Sequence, residues 1–407
     1  MPKSSATTGW SRKKLLKYSF ISLLLIFILL EIIFRIAFFV EYKGYHTSVY
    51  VQGNTLQMSD DSVVFRNRPF YLDYYRRFQF NEEGMKSKPA DVYIPEKGPD
   101  DFWVFVLGGS AMEGAGSNKD GEWLDITGVA DYPPQETIGG YLQAYLQQSM
   151  PSKKVRVFNA ATSGFSVWQS MQHYQQLSKK YRMDAVISMD GENEPPQLQP
   201  GESAPDYIKK RWKDSPLFDF PLNIIIPVTS HSALVNKMKQ ELFHFRLSRR
   251  IKKNIESNFS ARQVWLAKPS PLKFADADTS TKRSVSAFYN QLLQFDSLLT
   301  ARGQCHLLYI QPHLAFRDSL LMSDTERALF NYYTSAYNNA FNNTFKRSVY
   351  NGFNKEYVLS PRVRSLAQIH NWKEEIFVDY CHLTKRANEL IAKLMAEDLL
   401  RECNFNN

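Results

Sequence analysis

Residues 103–110 read W-V-F-V-L-G-G-S, a short apolar run that stops at Gly108 and Gly109 and presents Ser110. A strand buried on both faces of a parallel sheet has that composition. Two glycines at its carboxyl end let the backbone turn sharply, which puts the Ser110 hydroxyl at the edge where open α/β sheets keep their sites. A serine so placed is a candidate nucleophile. It needs a base, a carboxylate to orient that base, and donors for an oxyanion.

The same pattern recurs along the chain. A helical stretch over 137–148 leads into the apolar run 155–160, another over 168–181 leads into 185–189, and 306–310 reads as a further strand. Short apolar strands alternating with helices predict an α/β fold with a mainly parallel sheet. The rhythm breaks over about 197–285, where Pro200, a basic helical stretch around 232–254 and the K-P-S-P-L run from Lys268 indicate an insertion or cap. It resumes in a closing helix over 385–400, which Thr384 is placed to cap.

Three further segments carry groups that fit the chemistry of Ser110. The strand at 155–158 ends in the loop 159–164, N-A-A-T-S-G, and the strand at 185–189 ends in D-G-E-N-E at 190–194. Both loops share an edge with Ser110 if the sheet is parallel. Just before the last helix stand Asp379 and His382, three apart, so that one turn lets the carboxylate accept from Nδ1 and leaves Nε2 facing the serine. In this arrangement Ser110 attacks, His382 acts as general base and then acid, and Asp379 orients the imidazole. The backbone N–H groups of Ser110 and Gly164, with the Asn193 side-chain amide, form the oxyanion hole. His313, following the strand at 306–310, is a candidate for the same edge, either as a substrate contact or as a satisfied loop histidine.

The order G-G-S110, G164, G-x-N193-E, D379-x-x-H382-L-T resembles the SGNH (GDSL-type) hydrolase superfamily, in particular its membrane-anchored extracytoplasmic branch. The resemblance covers roughly residues 100–200 and 300–400. It implies a flavodoxin-like three-layer α/β/α sandwich and ester hydrolysis or acyl transfer, often on polysaccharides, with no metal and no cofactor. It assigns the four carriers to Ser110, Gly164, Asn193 and His382, with Asp379 as third triad member. Two departures stand out: Gly109 replaces the usual aspartate before the serine, and Glu194 the usual aspartate after the asparagine.

The amino terminus adds a location. Arg12, Lys13, Lys14 and Lys17 precede a stretch over 18–40 that is apolar except for Ser19, Ser22, Glu31 and Arg35. At about 1.5 Å per residue it reaches about 35 Å, enough to cross a hydrocarbon core of about 30 Å. Glu31 and Arg35 lie four apart on one face, where they can pair. The expected organisation is a cytoplasmic basic tail (1–17), a transmembrane anchor (18–40), a stem and packing segment (41–100) and an extracytoplasmic catalytic domain (101–407), because flanking Lys and Arg stay inside. A cleaved signal peptide with 20–30 as its apolar core, or a buried helix, are the alternatives.

Composition narrows the function classes. The chain has 407 residues, 43% hydrophobic and 14% aromatic, with 18 Gly and 19 Pro, which excludes collagen-like, low-complexity and wholly disordered chains. The net charge of +9 is carried partly by the amino-terminal flank and partly by clusters at 209–211 and 246–253. An extracytoplasmic domain rarely meets nucleic acid, so these clusters fit solvated faces, anionic polymers or lipid head groups. Cys305, Cys381 and Cys403 lack zinc spacing. One disulfide is open to them, for instance Cys381 with Cys403. The expected ligand is an acylated glycan or small ester, and the membrane is met through the amino-terminal helix. Two alternatives share this sequence: an O-acyltransferase of envelope polysaccharide using the same triad, and a non-catalytic glycan-binding subunit that keeps the fold.

Overall fold

A computed structural model describes residues 12–41, 57–67, 69, 79–88, 91–116, 130–213, 234, 278–334, 349 and 360–403. The expected basic helix at 232–254, apart from residue 234, and the 246–253 cluster lie outside these. The chain divides into two units, one holding the amino-terminal helix and the other residues 55–219 with 246–407.

In the first unit, α1 (Arg12–Glu41) contains a 24-residue segment, Lys13–Ile36, long and apolar enough to cross a membrane. Glu31 and Arg35 pair at 2.8 Å across one turn, which lowers the cost of two charges in an apolar segment.

The second unit is built on one sheet. A hairpin of β1 (Gln57–Asp60) and β2 (Val64–Asn67) precedes it. The sheet uses β3 (Gln79–Phe80), β4 (Lys86–Ser87) and β5 (Asp101–Gly108). After β5 come the one-turn helix α2 (Ser110–Glu113), a small ladder of β6 (Ala115–Gly116) with β7 (Ala130–Asp131), and α3 (Ile138–Ser149). Then β8 (Lys154–Asn159), α4 (Val167–Leu177) and β9 (Ala185–Asp190) follow, with α5 (Ala204–Lys213) beyond them. The carboxyl-terminal half supplies α6 (Thr279–Ala301), β10 (Cys305–Ile310), α7 (Asp324–Thr334), β11 (Val363–Ser365) and α8 (Lys385–Glu402).

The strand order is β11-β10-β9-β5-β8-β4-β3. From β11 to β8 all four pairings are parallel, and β4 and β3 add an antiparallel edge. Counted in chain order from β8, the parallel strands run second, first, third, fourth, fifth, which is the flavodoxin-like order with its switch point at the first strand. β5 is central, and its residues alternate between two cores. Phe102, Val104 and Val106 pack with Leu142 and Leu146 of α3 and Ile391, Met395 and Leu399 of α8. Trp103, Phe105 and Leu107 pack with Val167 and Tyr174 of α4 and Phe288 and Phe295 of α6. Helices therefore cover both faces in three layers.

The helix starts are chemically specified. The Thr137 hydroxyl accepts from Gly140 N–H at 3.1 Å, Asp278 from Thr281 N–H at 2.7 Å, and Thr384 from Ala387 N–H at 3.1 Å, each satisfying an orphan donor. A disulfide joins Cys305, at the start of β10, to Cys403, just past α8, with Cα atoms 5.9 Å apart. Cys381 is buried and takes no part in a disulfide. The pairing of Cys381 with Cys403 is thus corrected: α8 carries Cys403 to the amino end of β10, whereas Cys381 lies before the start of α8.

Candidate active site

Both glycines before Ser110 are needed, for different reasons. Gly108 has φ +137°, and a Cβ there would lie 2.3 Å from the Met189 carbonyl of the neighbouring strand. Gly109 has an ordinary φ of −85°, but a Cβ would lie 2.6 Å from Asn193 Nδ2. The second glycine makes room for the third loop rather than for the turn. Ser110 then opens α2, half-buried at the end of β5.

His382 reaches it from the other side of the chain. Its Nε2 lies 2.7 Å from Ser110 Oγ and its Nδ1 2.5 Å from Asp379 Oδ2. The other Asp379 oxygen accepts the N–H groups of Cys381 at 2.8 Å and His382 at 2.6 Å, so one carboxylate shapes the turn and holds the ring. Burial, the largest influence on Asp379, works to raise its pKa. The neighbouring imidazole and these hydrogen bonds outweigh it and hold the carboxyl below its usual range. Cys381 Sγ lies 3.7 Å from His382 Nδ1.

The turn at 376–382 is itself anchored by a buried ion pair. Arg317 Nε stands 3.4 Å from Glu326 Oε2, and both side chains are fully buried. The guanidinium donates to the carbonyls of His370 at 2.8 Å, Trp372 at 2.5 Å and Glu374 at 2.6 Å. Glu326 accepts the N–H groups of Ile376 at 2.9 Å and Phe377 at 3.2 Å. No sequence signal marks Arg317, because a lone Arg in a polar segment reads as solvated; Glu326 shows only as the end of an S-x-x-E capping pattern opened by Ser323, whose N–H it accepts at 3.1 Å.

Gly164 is exposed at φ +88°, in the loop after β8, and Asn193 is half-buried in the loop after β9. Asn193 Nδ2 donates to the Phe165 carbonyl at 3.1 Å, and the amide has a second hydrogen to offer. Glu194 reaches past it and accepts Val167 N–H at 2.7 Å, at the amino end of α4 where a carboxylate is favoured. The third loop is therefore laced to the second at two points. Burial pushes the Glu194 carboxyl up to about 8, opposed by the Val167 bond and reinforced by Asp190. Asp190, buried and accepting from the Ser170 and Ser188 hydroxyls, is pushed up to about 6 by burial.

All five residues singled out as triad or oxyanion hole thus stand on one edge, with Ser110, His382 and Asp379 in a continuous hydrogen-bonded line. His313 also reaches that edge, but it is buried and its Nδ1 accepts from Ala315 N–H at 3.1 Å. Its Nε2 lies 3.8 Å from Glu192 Oε2.

No protein-family model matches the chain, and no curated protein matches it. Solved structures do. An acetylxylan esterase from Geobacillus stearothermophilus aligns at 11% identity over 74% of this chain and 94% of that one, with a TM-score of 0.31. A member of the lipolytic protein G-D-S-L family from Veillonella parvula aligns at 10% identity over 74% and 100%, with a TM-score of 0.34. A carbohydrate acetylesterase family member from Sinorhizobium meliloti aligns at 10% identity over 74% and 99%, with a TM-score of 0.32. At these values the likeness says nothing about activity; the fold rests on the strand order.

Proposed function

We propose that this protein is an SGNH-type serine esterase that hydrolyses ester bonds, O-acetyl groups above all, on an extracytoplasmic glycan or a similar substrate. The observation that carries the reading is the line from Ser110 Oγ to His382 Nε2 at 2.7 Å and from His382 Nδ1 to Asp379 Oδ2 at 2.5 Å. Ser110 Oγ attacks the ester carbonyl while its proton passes to His382 Nε2, and the imidazolium is stabilised by the ionised Asp379. The carbonyl electrons move onto oxygen, where the Ser110 and Gly164 N–H groups and the Asn193 amide receive the charge. Collapse breaks the ester C–O bond, and the leaving alcohol takes the proton from His382. Water, deprotonated by His382, then releases the acyl group from Ser110 as the free acid.

The amino-terminal helix supports a membrane anchor, and Arg12, Lys13, Lys14 and Lys17 on its leading side orient the catalytic domain away from the cytoplasm. A sugar hydroxyl in place of water turns the same cycle into acyl transfer. Supplying an acetyl donor with and without glycan, and measuring free acetate against acetylated glycan, separates the two.

The decisive variant is Ser110→Ala. Turnover of a chromogenic acetyl ester is expected to fall by about 1,000-fold or more with the melting temperature unchanged. Turnover at the wild-type rate would refute the proposal.

A further inference from the structure

The hairpin that precedes the sheet meets the loop of Gly164. Ser163, immediately before that glycine, has every polar group held. Its N–H donates to Glu113 Oε2 at 2.7 Å, its hydroxyl donates to the same oxygen, and its carbonyl accepts from Gln57 Nε2 at 2.5 Å. Glu113 belongs to the turn that Ser110 opens. Asn67 Nδ2, from the second hairpin strand, donates to Glu113 Oε1 at 2.8 Å and to the Ala161 carbonyl at 3.2 Å. Gln169 Nε2 in turn donates to the Val63 carbonyl at 2.8 Å, and Phe65 packs edge-on against Phe165 with ring centroids 5.6 Å apart.

The Ser163 carbonyl and the Gly164 N–H belong to one planar trans peptide, in which C=O and N–H point in opposite directions. Whatever pins the carbonyl therefore aims the amide. Gly164, at φ +88°, lies in a region that glycine enters freely, so its own torsions do little to hold that aim. We propose that Gln57 is a positioning residue that aims the Gly164 N–H at the developing oxyanion, acting through the Ser163 carbonyl from a hairpin outside the sheet. The inference rests on the esterase reading above and adds to it a residue that touches no substrate.

The test uses the full chain in detergent, with a chromogenic acetyl ester and a boronic acid as tetrahedral mimic. Gln57→Leu removes the donor, and Gln57→Glu replaces it with an acceptor of the same shape that repels the carbonyl. Both are expected to lower kcat by about 10-fold or more with KM within about twofold, because the bond is felt only when the oxyanion forms. Boronate affinity is expected to fall in step with kcat/KM, and the pH profile of the base to stay in place. A purely structural role predicts losses that follow the melting temperature and spread over KM as well. Either that pattern, or a folded Gln57→Leu with kcat within twofold of wild type, overturns the inference. Full turnover by Ser110→Ala overturns the esterase reading instead, so the two failures are distinguishable.

Discussion

Gly109→Ala isolates the link between the turn of Ser110, the proposed nucleophile, and Asn193, the proposed oxyanion donor. At φ −85° an alanine is conformationally acceptable, so backbone strain is not the issue. The new Cβ falls 2.6 Å from Asn193 Nδ2 and 3.4 Å from the Phe165 carbonyl oxygen. To restore a van der Waals separation of about 3.5 Å the amide has to retreat by about 1 Å, and a displacement of that size at a reacting centre costs on the order of 100-fold. Full loss of one oxyanion donor costs about 2.7–4 kcal/mol in the transition state, which sets the upper bound. Stability suffers far less, by about 1 kcal/mol for alanine replacing glycine at a helix cap. The assay is kcat and KM on an acetyl ester for Gly109→Ala, Asn193→Ala and the double variant, alongside thermal melting. Because the clash disappears once the amide is gone, the double variant is expected to match Asn193→Ala within about threefold. A kcat unchanged in Gly109→Ala, or the same penalty on both backgrounds, refutes the reasoning.

Two other outcomes follow from the buried charges. Glu194, ordinarily titrating near 4.5, is pushed up to about 8, so between those pH values the folded chain keeps a proton that the unfolded chain has released. Its contribution to stability is therefore fully present below about pH 4.5 and is lost as pH rises toward 8, by at most about 5 kcal/mol. Glu194→Gln is expected to flatten that part of the wild-type stability curve in denaturant unfolding, and a slope unchanged from wild type over pH 5–8 contradicts the assignment. Glu326→Ala, which strands the Arg317 guanidinium in a fully buried position, is expected to destabilise by about 3–5 kcal/mol. Chemical denaturation measures it; a loss under about 1 kcal/mol would mean that the pair does not anchor the 376–382 turn.

Much of this architecture was legible because buried parallel strands announce themselves. The runs at 103–107, 185–189 and 306–310 are apolar on both faces, and each ends close to where its strand ends, at Gly108, Asp190 and Ile310. The loops after three strands were visible as polar, glycine-containing breaks, and the Asp379–His382 turn as a carboxylate three residues before a histidine. Residues 57–88 were not, and reading them as part of a stem and packing segment left the hairpin and the antiparallel edge undivided. Strands of two residues, Gln79–Phe80 and Lys86–Ser87, are too short to show a period of two, and Gln57 and Asn67 act through bonds to loops some 100 residues away. Similarly, residues 279–285, grouped with the insertion, form the first turns of α6. Arg317 and Glu326 were hidden for a different reason: charge suggests solvent, and only the packing of 369–377 around them shows otherwise.

The Cys305–Cys403 bond bears on how the chain matures. In an unstructured chain the competing pair, Cys381 with Cys403, closes a loop of 22 residues against 98 for the observed one. Loop entropy then favours the wrong pair by about 1.3 kcal/mol, roughly tenfold. Docking of β10 and α8 brings the observed pair together, so oxidation before the carboxyl-terminal half folds favours a bridge that thiol exchange then has to correct. A premature Cys381–Cys403 bridge would tie up the thiol 3.7 Å from His382 Nδ1. Oxidative misfolding would then reach the turn that carries His382, the proposed base, and the yield of active protein would depend on the redox conditions met by the nascent chain.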